Sequence, residues 1–381
     1  MAQPSRSPLL FAGALALLLL PVPARGVHAS GPPLVQGSGW FILTTQNAGS
    51  QSQLDAADAL SPSDVWAVGS TGVPDFNSQT LIEHWNGRAW SVVPHPTPAG
   101  MVGARLLGVS GDASTDVWAV GRGTPSGSLS PVPLVLHWNG SAWRVVDTPP
   151  ETGAGLQAVS ALSPTDVWAV GDAGTGTLAE HWNGQSWSVI PTPNVQQGGD
   201  LQGVTAVSST DVWAVGSFFD SAFRSHAVIE HWNGTSWAVT PSPSRGPSSS
   251  LVSVSAVSAN DVWAVGQDFP SNVATLAEHW NGTSWTVVPG PTIPVSQFSG
   301  VASVTSTDVW AVGSTVGQNG QLQTLAERWN GSGWTVSATP AAFAVSDFLA
   351  VTACATAIFA VGDAQRTESS PPRTLAEAHA A

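Results

Sequence analysis

The sequence contains no lysine and no tyrosine, and charged residues make up only 9% of its 381 positions. All 11 basic residues are arginines, and against 25 acidic residues they leave a formal net charge of −14. Because proteins that bind nucleic acids or anionic membranes present clusters of Lys and Arg, we expect neither partner. We also expect no cofactor and no metal, because the sequence has no zinc-type Cys/His spacing and no phosphate-binding loop.

Cysteine is equally scarce. The single cysteine, Cys354, excludes an internal disulfide. Its neighbours Ala353 and Ala355 offer no His or Arg that would lower the pKa of the thiol. We therefore expect a buried, unreactive thiol rather than a nucleophile.

Glycine, proline and tryptophan are abundant instead. The chain has 39 Gly, 29 Pro and 19 Trp, and 42% of its residues are hydrophobic. Aromatic residues at this level argue against a disordered chain. Gly and Pro spread along the whole sequence argue against long helices. A turn-rich, all-β protein fits this composition.

The N-terminal segment has the three regions of a secretory signal. Arg6 precedes an apolar run from Leu9 to Leu20, and small residues follow. Twelve apolar residues are too few to span a bilayer, which needs about 20. We predict a signal peptide over 1–29 with cleavage after Ala29, Ala24 being the competing position, and a short linker over 30–36. The mature protein is expected to be secreted and extracellular.

The rest of the chain consists of seven copies of one repeat. The hexapeptide Asp-Val-Trp-Ala-Val-Gly occurs six times, and 357–362 is a degenerate seventh copy. An element of the form Glu-His-Trp-Asn-Gly-x-x-Trp follows each of the six, with Leu136 replacing Glu in the second copy and Arg328 replacing His in the sixth. We assign structural roles to the Asp and Trp of the hexapeptides, namely Asp64, Trp66, Asp116, Trp118, Asp166, Trp168, Asp211, Trp213, Asp261, Trp263, Asp308 and Trp310.

The third copy shows how one unit folds. Alternating apolar residues and turn signals predict strands over 156–161, 167–171, 177–182 and 186–191, with a hairpin at Asn183-Gly184. Four antiparallel strands per repeat, repeated seven times, predict a seven-bladed β-propeller. The Asn-Gly-Ser/Thr sequons at Asn139, Asn233, Asn281 and Asn330 are then turn residues, and their match to a glycosylation signal is incidental.

The two ends of the chain complete each other. The seventh copy stops before any Asn-Gly-x-x-Trp, while Gly37-Ser38-Gly39-Trp40 matches Gly331-Ser332-Gly333-Trp334. We predict one domain over 37–381, in which an N-terminal strand at 37–45 completes the blade formed by 347–381. Closure of this kind removes the open edges of a ring.

The repeat resembles those of kelch and galactose-oxidase-like propellers. Trp168-Ala169-Val170-Gly171 and the later Asn183-Gly184-Gln185-Ser186-Trp187 occupy the places of the glycine-ended strand and the outer Trp of those repeats. The pattern is also similar to tectonin-type propellers. It departs from kelch in having one Gly where kelch has two. The resemblance implies a propeller fold and leaves function open, since such propellers include enzymes, lectins and scaffolds.

Some enzymatic functions are excluded by residue type. Galactose oxidase chemistry needs tyrosines, and sialidases need a Tyr nucleophile. Glu180 and His181 adjoin each other, but neighbours on a strand point to opposite faces. We expect this Glu to accept a hydrogen bond from a Trp indole or a turn amide of its own blade. Whether the protein is an enzyme stays open, and the pattern favours a negative answer.

A ligand would bind where the copies differ. The connections between the second and third strands and between blades vary most, and variable loops on a rigid scaffold are typical recognition sites. Candidate ligand-binding residues come from the variable connections of the fourth blade and the fifth: Phe218, Phe219, Asp220, Phe223, Arg224, His226, Asp268 and Phe269. Phe298, in the following inter-blade connection, would be a further exposed aromatic residue. The alternative is that these Phe side chains pack under their own loops. Small residues on the first strands predict a narrow axial channel, lined by Gly108, Ala158, Gly203 and Ser253.

The sequence therefore predicts a monomeric, non-enzymatic binding module for an extracellular glycan or protein. An extracellular polysaccharide lyase or glycoside hydrolase using Asp200, Asp220 and Asp268 is one alternative. A structural surface protein that only displays its loops is another.

Overall fold

A computed structural model describes residues 39–49, 51–72, 78–96, 100–174, 176–193, 195, 198–243, 246–269 and 273–380. The predicted signal peptide and linker lie outside these residues. The described residues contain strands and turns but no helix, and so no helix able to cross a membrane.

Each repeat forms four strands, and the 28 strands run in chain order as β1 Phe41–Leu43, β2 Ser52–Ser61, β3 Asp64–Thr71, β4 Gln79–Trp85, β5 Trp90–Val92, β6 Met101–Ala113, β7 Asp116–Pro125, β8 Val132–Trp138, β9 Trp143–Val146, β10 Ala154–Ser163, β11 Asp166–Ala173, β12 Gly176–Trp182, β13 Trp187–Val189, β14 Asp200–Ser208, β15 Asp211–Phe219, β16 Ser225–Trp232, β17 Trp237–Thr240, β18 Ser249–Ser258, β19 Asp261–Asp268, β20 Ala274–Trp280, β21 Trp285–Val287, β22 Ser296–Thr305, β23 Asp308–Val316, β24 Leu322–Trp329, β25 Trp334–Val336, β26 Val345–Cys354, β27 Ala357–Gln365 and β28 Arg373–Ala380.

These strands form seven antiparallel four-stranded sheets. Blade 1 is β2-β3-β4-β5, blades 2 to 6 follow in the same order along the chain, and blade 7 is β26-β27-β28 with β1. The predicted all-β, seven-bladed fold is confirmed. The closing strand is also confirmed: β1 pairs with β28 in the register Phe41↔Ala378 and Leu43↔Ala376, within the predicted segment 37–45.

Local sequence explains each blade. Glycine at the end of the hexapeptide lets the first strand approach the second closely, because a Cβ on Gly171 would lie 1.9 Å from the carbonyl oxygen of Gly155. The Asn-Gly pair makes the hairpin, since Gly184 has a φ of +91° and the Oδ1 of Asn183 accepts the amides of Gln185 and Ser186. The turn role predicted for these asparagines is confirmed.

The hydrophobic core lies between blades. The ring of Trp168 in blade 3 contacts Trp232 and Trp237 of blade 4, at centroid distances of 5.0 and 5.4 Å, the second pair nearly edge to face at 86°. Edge-to-face geometry suits the charge distribution of aromatic rings. Packing between blades fits the structural role predicted for Trp168 from repetition.

Candidate functional site

The propeller has two different rims. On one, hereafter the short-turn rim, the first and second strands are joined by turns such as 164–165, and the third and fourth by turns such as 183–186. On the other, hereafter the loop rim, lie the longer connections between second and third strands and between blades. Residues 126–131 of blade 2 and 220–224 of blade 4 are examples. The repeats differ most on the loop rim.

On the short-turn rim, the repeated Asp and His pair with each other. The Nε2 of His181 lies 2.8 Å from the Oδ1 of Asp166, and the His ring packs on Trp168 at 4.4 Å. The same pair occurs in blades 1, 2, 4 and 5, while in blade 6 Arg328 takes the place of His and donates to Asp308. These residues therefore hold strands of one blade together, which fits the structural role predicted from repetition.

The repeated glutamates have an environment that the sequence did not predict. Glu180 is fully buried, and neither of its carboxyl oxygens has a hydrogen-bond partner among the described residues. Glu230 instead accepts from the hydroxyl of Thr177 at 3.1 Å, and Glu278 from Ser242 at 2.8 Å. The prediction of a hydrogen-bond donor from the same blade is wrong, because Thr177 and Ser242 each belong to the blade that precedes their glutamate.

Burial dominates the ionisation of these glutamates. Removal from water raises the pKa of Glu83, Glu180, Glu230, Glu278 and Glu327 to about 7. The pKa of Glu377 rises to about 8. A carboxyl group in this state is neutral below neutral pH, which lowers the cost of burying it. The indole of the third-strand Trp does not donate a hydrogen bond to this carboxyl group, since Trp182 donates to the carbonyl of Pro164.

On the loop rim, Asp220 organises the connection of blade 4. Its Oδ1 accepts the backbone amides of Ala222 and Arg224 at 2.8 and 2.9 Å. Its Oδ2 lies 3.0 Å from both the Nε of Arg224 and the Nε2 of His226. The hydrogen bond with His226, followed by those from Arg224 and Ala222, holds the pKa of Asp220 well below its usual range.

This loop carries two exposed aromatic side chains. Phe223 is 82% exposed at a φ of +57°, a left-handed conformation unusual for a bulky residue, and Phe219 is 42% exposed. Phe218 is different, because it packs against the core between blades 3 and 4 and against the ring of His226. The structure thus brings Phe219, Phe223 and Arg224 to one exposed loop.

The candidates from blades 5 and 6 lie deeper. Asp268 is 5% exposed, and its Oδ1 accepts the amide of Phe269, which is half-buried. Phe298 is 4% exposed within the core of blades 5 and 6. Its predicted exposure is wrong, because it pairs with Gly313 at the position that Leu156 occupies in blade 3.

The predicted axial channel is present. A cavity of about 630 Å³ runs between the first strands, and its lining includes Gly108, Ala158, Gly203 and Ser253. Hydroxyl groups link neighbouring blades around it, as where the amide of Ala206 donates to Ser160 at 3.0 Å. Equivalent bonds join other neighbours through the hydroxyl groups of Ser110, Ser255 and Thr352 and, between blades 1 and 2, through the carboxylate of Asp58. Sequence alone did not reveal this ring, although an oxygen-bearing residue at one aligned position was its signal.

Other chemistry is sparse among the described residues. They contain no group of three or more His, Cys, Asp or Glu side chains placed to hold a metal ion. Cys354 is half-buried, and desolvation raises the pKa of its thiol.

Comparison with known proteins defines the class at the level of fold. No protein-family model and no curated protein matches the chain. Solved propellers are similar to it: YCF48 bound to a D1 peptide is 14% identical, with a TM-score of 0.58, covering 92% of this chain and 99% of that one. The WD40 propeller domain of Doa1 is 13% identical, with a TM-score of 0.54, covering 89% and 97%.

An enzyme is similar as well. The GH74 xyloglucanase from Xanthomonas campestris is 12% identical, with a TM-score of 0.57 over 88% of this chain and 55% of that one. At such identities the likeness shows a shared fold. The chain is a seven-bladed β-propeller, and its resemblance to the kelch and tectonin kinds stays a prediction.

Proposed function

We propose that this propeller is a secreted, non-enzymatic binding module that takes an extracellular protein or glycan on its loop rim. The observation that carries the proposal is the blade 4 loop, where Asp220 fixes the backbone while Phe219 and Phe223 stay exposed. A loop held this way loses little conformational freedom on binding, and exposed aromatic residues are frequent anchors of interfaces.

A protein ligand is the favoured class. The structure of YCF48 with a D1 peptide shows that a propeller of similar fold can bind a polypeptide. The two Phe side chains are suited to insert into apolar pockets of a partner. A glycan is the second candidate, because an aromatic ring beside Arg224 and His226 could stack on a sugar face while the polar groups bind its hydroxyls.

Binding is favoured over hydrolysis or elimination because the three candidate carboxylates already have local partners. Asp200 accepts from Gln202 at 2.7 Å and from Ser217 at 2.9 Å. Asp220 and Asp268 accept amides of their own connections. Such contacts explain these residues as supports of the loop rim.

Export is part of the proposal and rests on the segment 1–29. Sequencing the N-terminus of protein recovered from culture medium should give a chain beginning at Ser30. Recovery of intact 1–29 on a cell-retained protein would contradict export.

The binding function is tested with one panel of secreted proteins and glycans, measuring both retention and release of new reducing or unsaturated ends. We expect retention without product, reduced about tenfold in F219A/F223A at an unchanged melting temperature. L129A is the matched control, because Leu129 is an exposed apolar residue on the same rim in blade 2. Product formation would overturn the proposal, and absence of any retention would favour the display function.

A further inference from the structure

In every blade, two residues face each other directly beyond the glycine that ends the hexapeptide, one on the first strand and one on the second. These facing residues, hereafter the mouth pairs, lie at the end of the strands that meets the loop rim. They are Gln53↔Ser70, Arg105↔Arg122, Gly155↔Asp172, Asp200↔Ser217, Ser250↔Gln267, Gln297↔Ser314 and Asp347↔Asp363.

The mouth pairs are where the blades stop being alike. The preceding second-strand residue is Gly in all seven blades, as at Gly121 and Gly171, because the first strand crosses too closely for a Cβ. One residue later the sequence diverges, although the backbone pairing is the same. A purely structural contact would be served by a recurring residue pair, as with the Asp and His of the short-turn rim in blades 1 to 5. Divergence at fixed geometry points to recognition.

Blade 2 has arginine at both positions of its mouth pair. Arg105 and Arg122 are register partners, so their side chains leave the same face of the sheet. Like charges placed opposite each other are unfavourable unless something negative lies between or beside them. The pairing of two arginines is therefore a cost that a bound anion would offset.

The carboxylates on either side do not saturate these arginines. Arg105 reaches Asp55 of blade 1 only at 3.5 Å, on an oxygen that Gln53 already approaches at 2.7 Å. The Nε of Arg105 is buried and has no hydrogen-bond partner among the described residues. On the other side, burial raises the pKa of Asp172, although a hydrogen bond from Gln157 and the charge of Arg122 act to lower it.

The two arginines pack closely against blade 3 and border a small hollow. The stem of Arg122 crosses Gly155 of blade 3, where an added Cβ would lie 3.1 Å from the Cδ of Arg122. A hollow of about 20 Å³ touches both arginines and is otherwise lined by Ser78, Gly103, Ala104, Gly123 and Thr124. This is close to the volume of one water molecule, and so of one carboxylate oxygen.

We propose that Arg105 and Arg122 bind a carboxylate group of a polypeptide ligand on the loop rim of blade 2. A guanidinium group matches a carboxylate with two parallel hydrogen bonds, which a Lys could not supply. The proposal rests on the proposed function, because it gives the protein ligand a second contact on the same rim as Phe219 and Phe223. On a chain of net charge −14, this pair makes acidic ligands bind at one place.

The test uses an array of short peptides, each synthesised once with its carboxylates free and once with a C-terminal amide and with Asn and Gln in place of Asp and Glu, probed with the purified protein. We expect retained peptides to lose about tenfold in affinity when their carboxylates are amidated, and retention to weaken as salt rises. This comparison needs no variant and stands even if a substitution disturbs folding.

Variants then assign the contact. R105Q/R122Q should abolish the preference for the acid form, R122K should reduce it, and R144Q should leave it unchanged, because Arg144 is exposed on the outer strand β9 of the same blade. Peptides retained equally as acid and amide would overturn this inference and leave the proposed function intact. Retention of oligouronides in place of peptides would overturn the choice of polypeptide, and no retained peptide at all would overturn both proposals for a protein ligand.

Discussion

Trp40 packs edge to face against Trp310, with ring centroids 5.5 Å apart and an interplanar angle of 83°. The same geometry joins Trp66 to Trp143 at 5.3 Å and 81°, where the second Trp belongs to the fourth strand of the next blade. Trp40 therefore supplies to blade 7 what a fourth strand supplies to the other blades. The start of the chain closes the ring at the level of the core as well as at the sheet edge.

Removing this contact should destabilise the whole propeller. In W40A, the cavity beside Trp310 and Phe348 should lower the free energy of unfolding by about 3–5 kcal/mol, as for other buried aromatic residues. Urea denaturation followed by Trp fluorescence measures the change. W334A is the matched comparison, since Trp334 packs edge to face on Trp263. A cost near zero for W40A beside a large cost for W334A would contradict closure by the N-terminal strand.

The buried glutamates predict that stability falls as pH rises. Their pKa values are raised in the folded protein, so the folded state holds protons that the unfolded state releases above about pH 4.3. The contribution of these glutamates to stability is therefore complete below that pH and is lost as the pH climbs through about 7. We expect the melting temperature to be higher at pH 5 than at pH 8.

A single substitution isolates this effect. E180Q removes an ionisable group that has no hydrogen-bond partner among the described residues, so it should raise the melting temperature at pH 8 by about 2 °C or more and change it little at pH 5. E368Q, at an exposed glutamate, is the control and should have no effect at either pH. Equal effects of E180Q at both values would show that its carboxyl is not neutral at pH 5.

Asp220 should stabilise the conformation of the blade 4 loop and contribute little to the stability of the whole propeller. D220N exchanges an acceptor of four hydrogen bonds for an amide, so the loop should loosen and exchange its amide hydrogens faster over 218–226. We expect ligand retention to fall about tenfold while the melting temperature stays within experimental error. A large drop in melting temperature would instead give Asp220 a role in global stability.

The side-chain hydrogen bonds between neighbouring blades around the channel predict a small loss of stability when one of them is removed. S160A leaves the amide of Ala206 without its acceptor and should destabilise the protein by about 1 kcal/mol. S186A is the control, because Ser186 lies in an exposed hairpin and takes part through its backbone. Chemical denaturation of both variants measures the difference, and equal stabilities would mean that water replaces the hydroxyl at no cost.

Architecture could be predicted from the sequence because it depends on repetition. The four strands of blade 3 lie where alternation and turn residues place them, and the match of Trp40 with Trp334 predicted the closing strand. Hydrogen bonds between blades were harder to predict, because partners such as Thr177 and Glu230 belong to different repeats and no sequence periodicity links them. Phe298, which the sequence placed in a connection, aligns with Leu156 on the first strand and could have been recognised as a core residue by that alignment.

The candidate site was only partly accessible to sequence. The composition of the blade 4 loop identified Phe219 and Phe223, but it could not separate them from Phe218, whose alternation places it against the core. The mouth pairs were missed for a different reason. Arg105 and Arg122 lie on different strands, and no sequence motif links them. They become neighbours only through the register of β6 and β7.

The most direct test of the account is hydrogen exchange of the protein with and without a ligand retained in the panel. A ligand on the loop rim should slow exchange at 218–226 and at the start of β6 and end of β7, and leave the turns 164–165 and 183–186 unchanged. Protection confined to the short-turn rim, where the blades are nearly identical, would contradict the loop rim as the binding face.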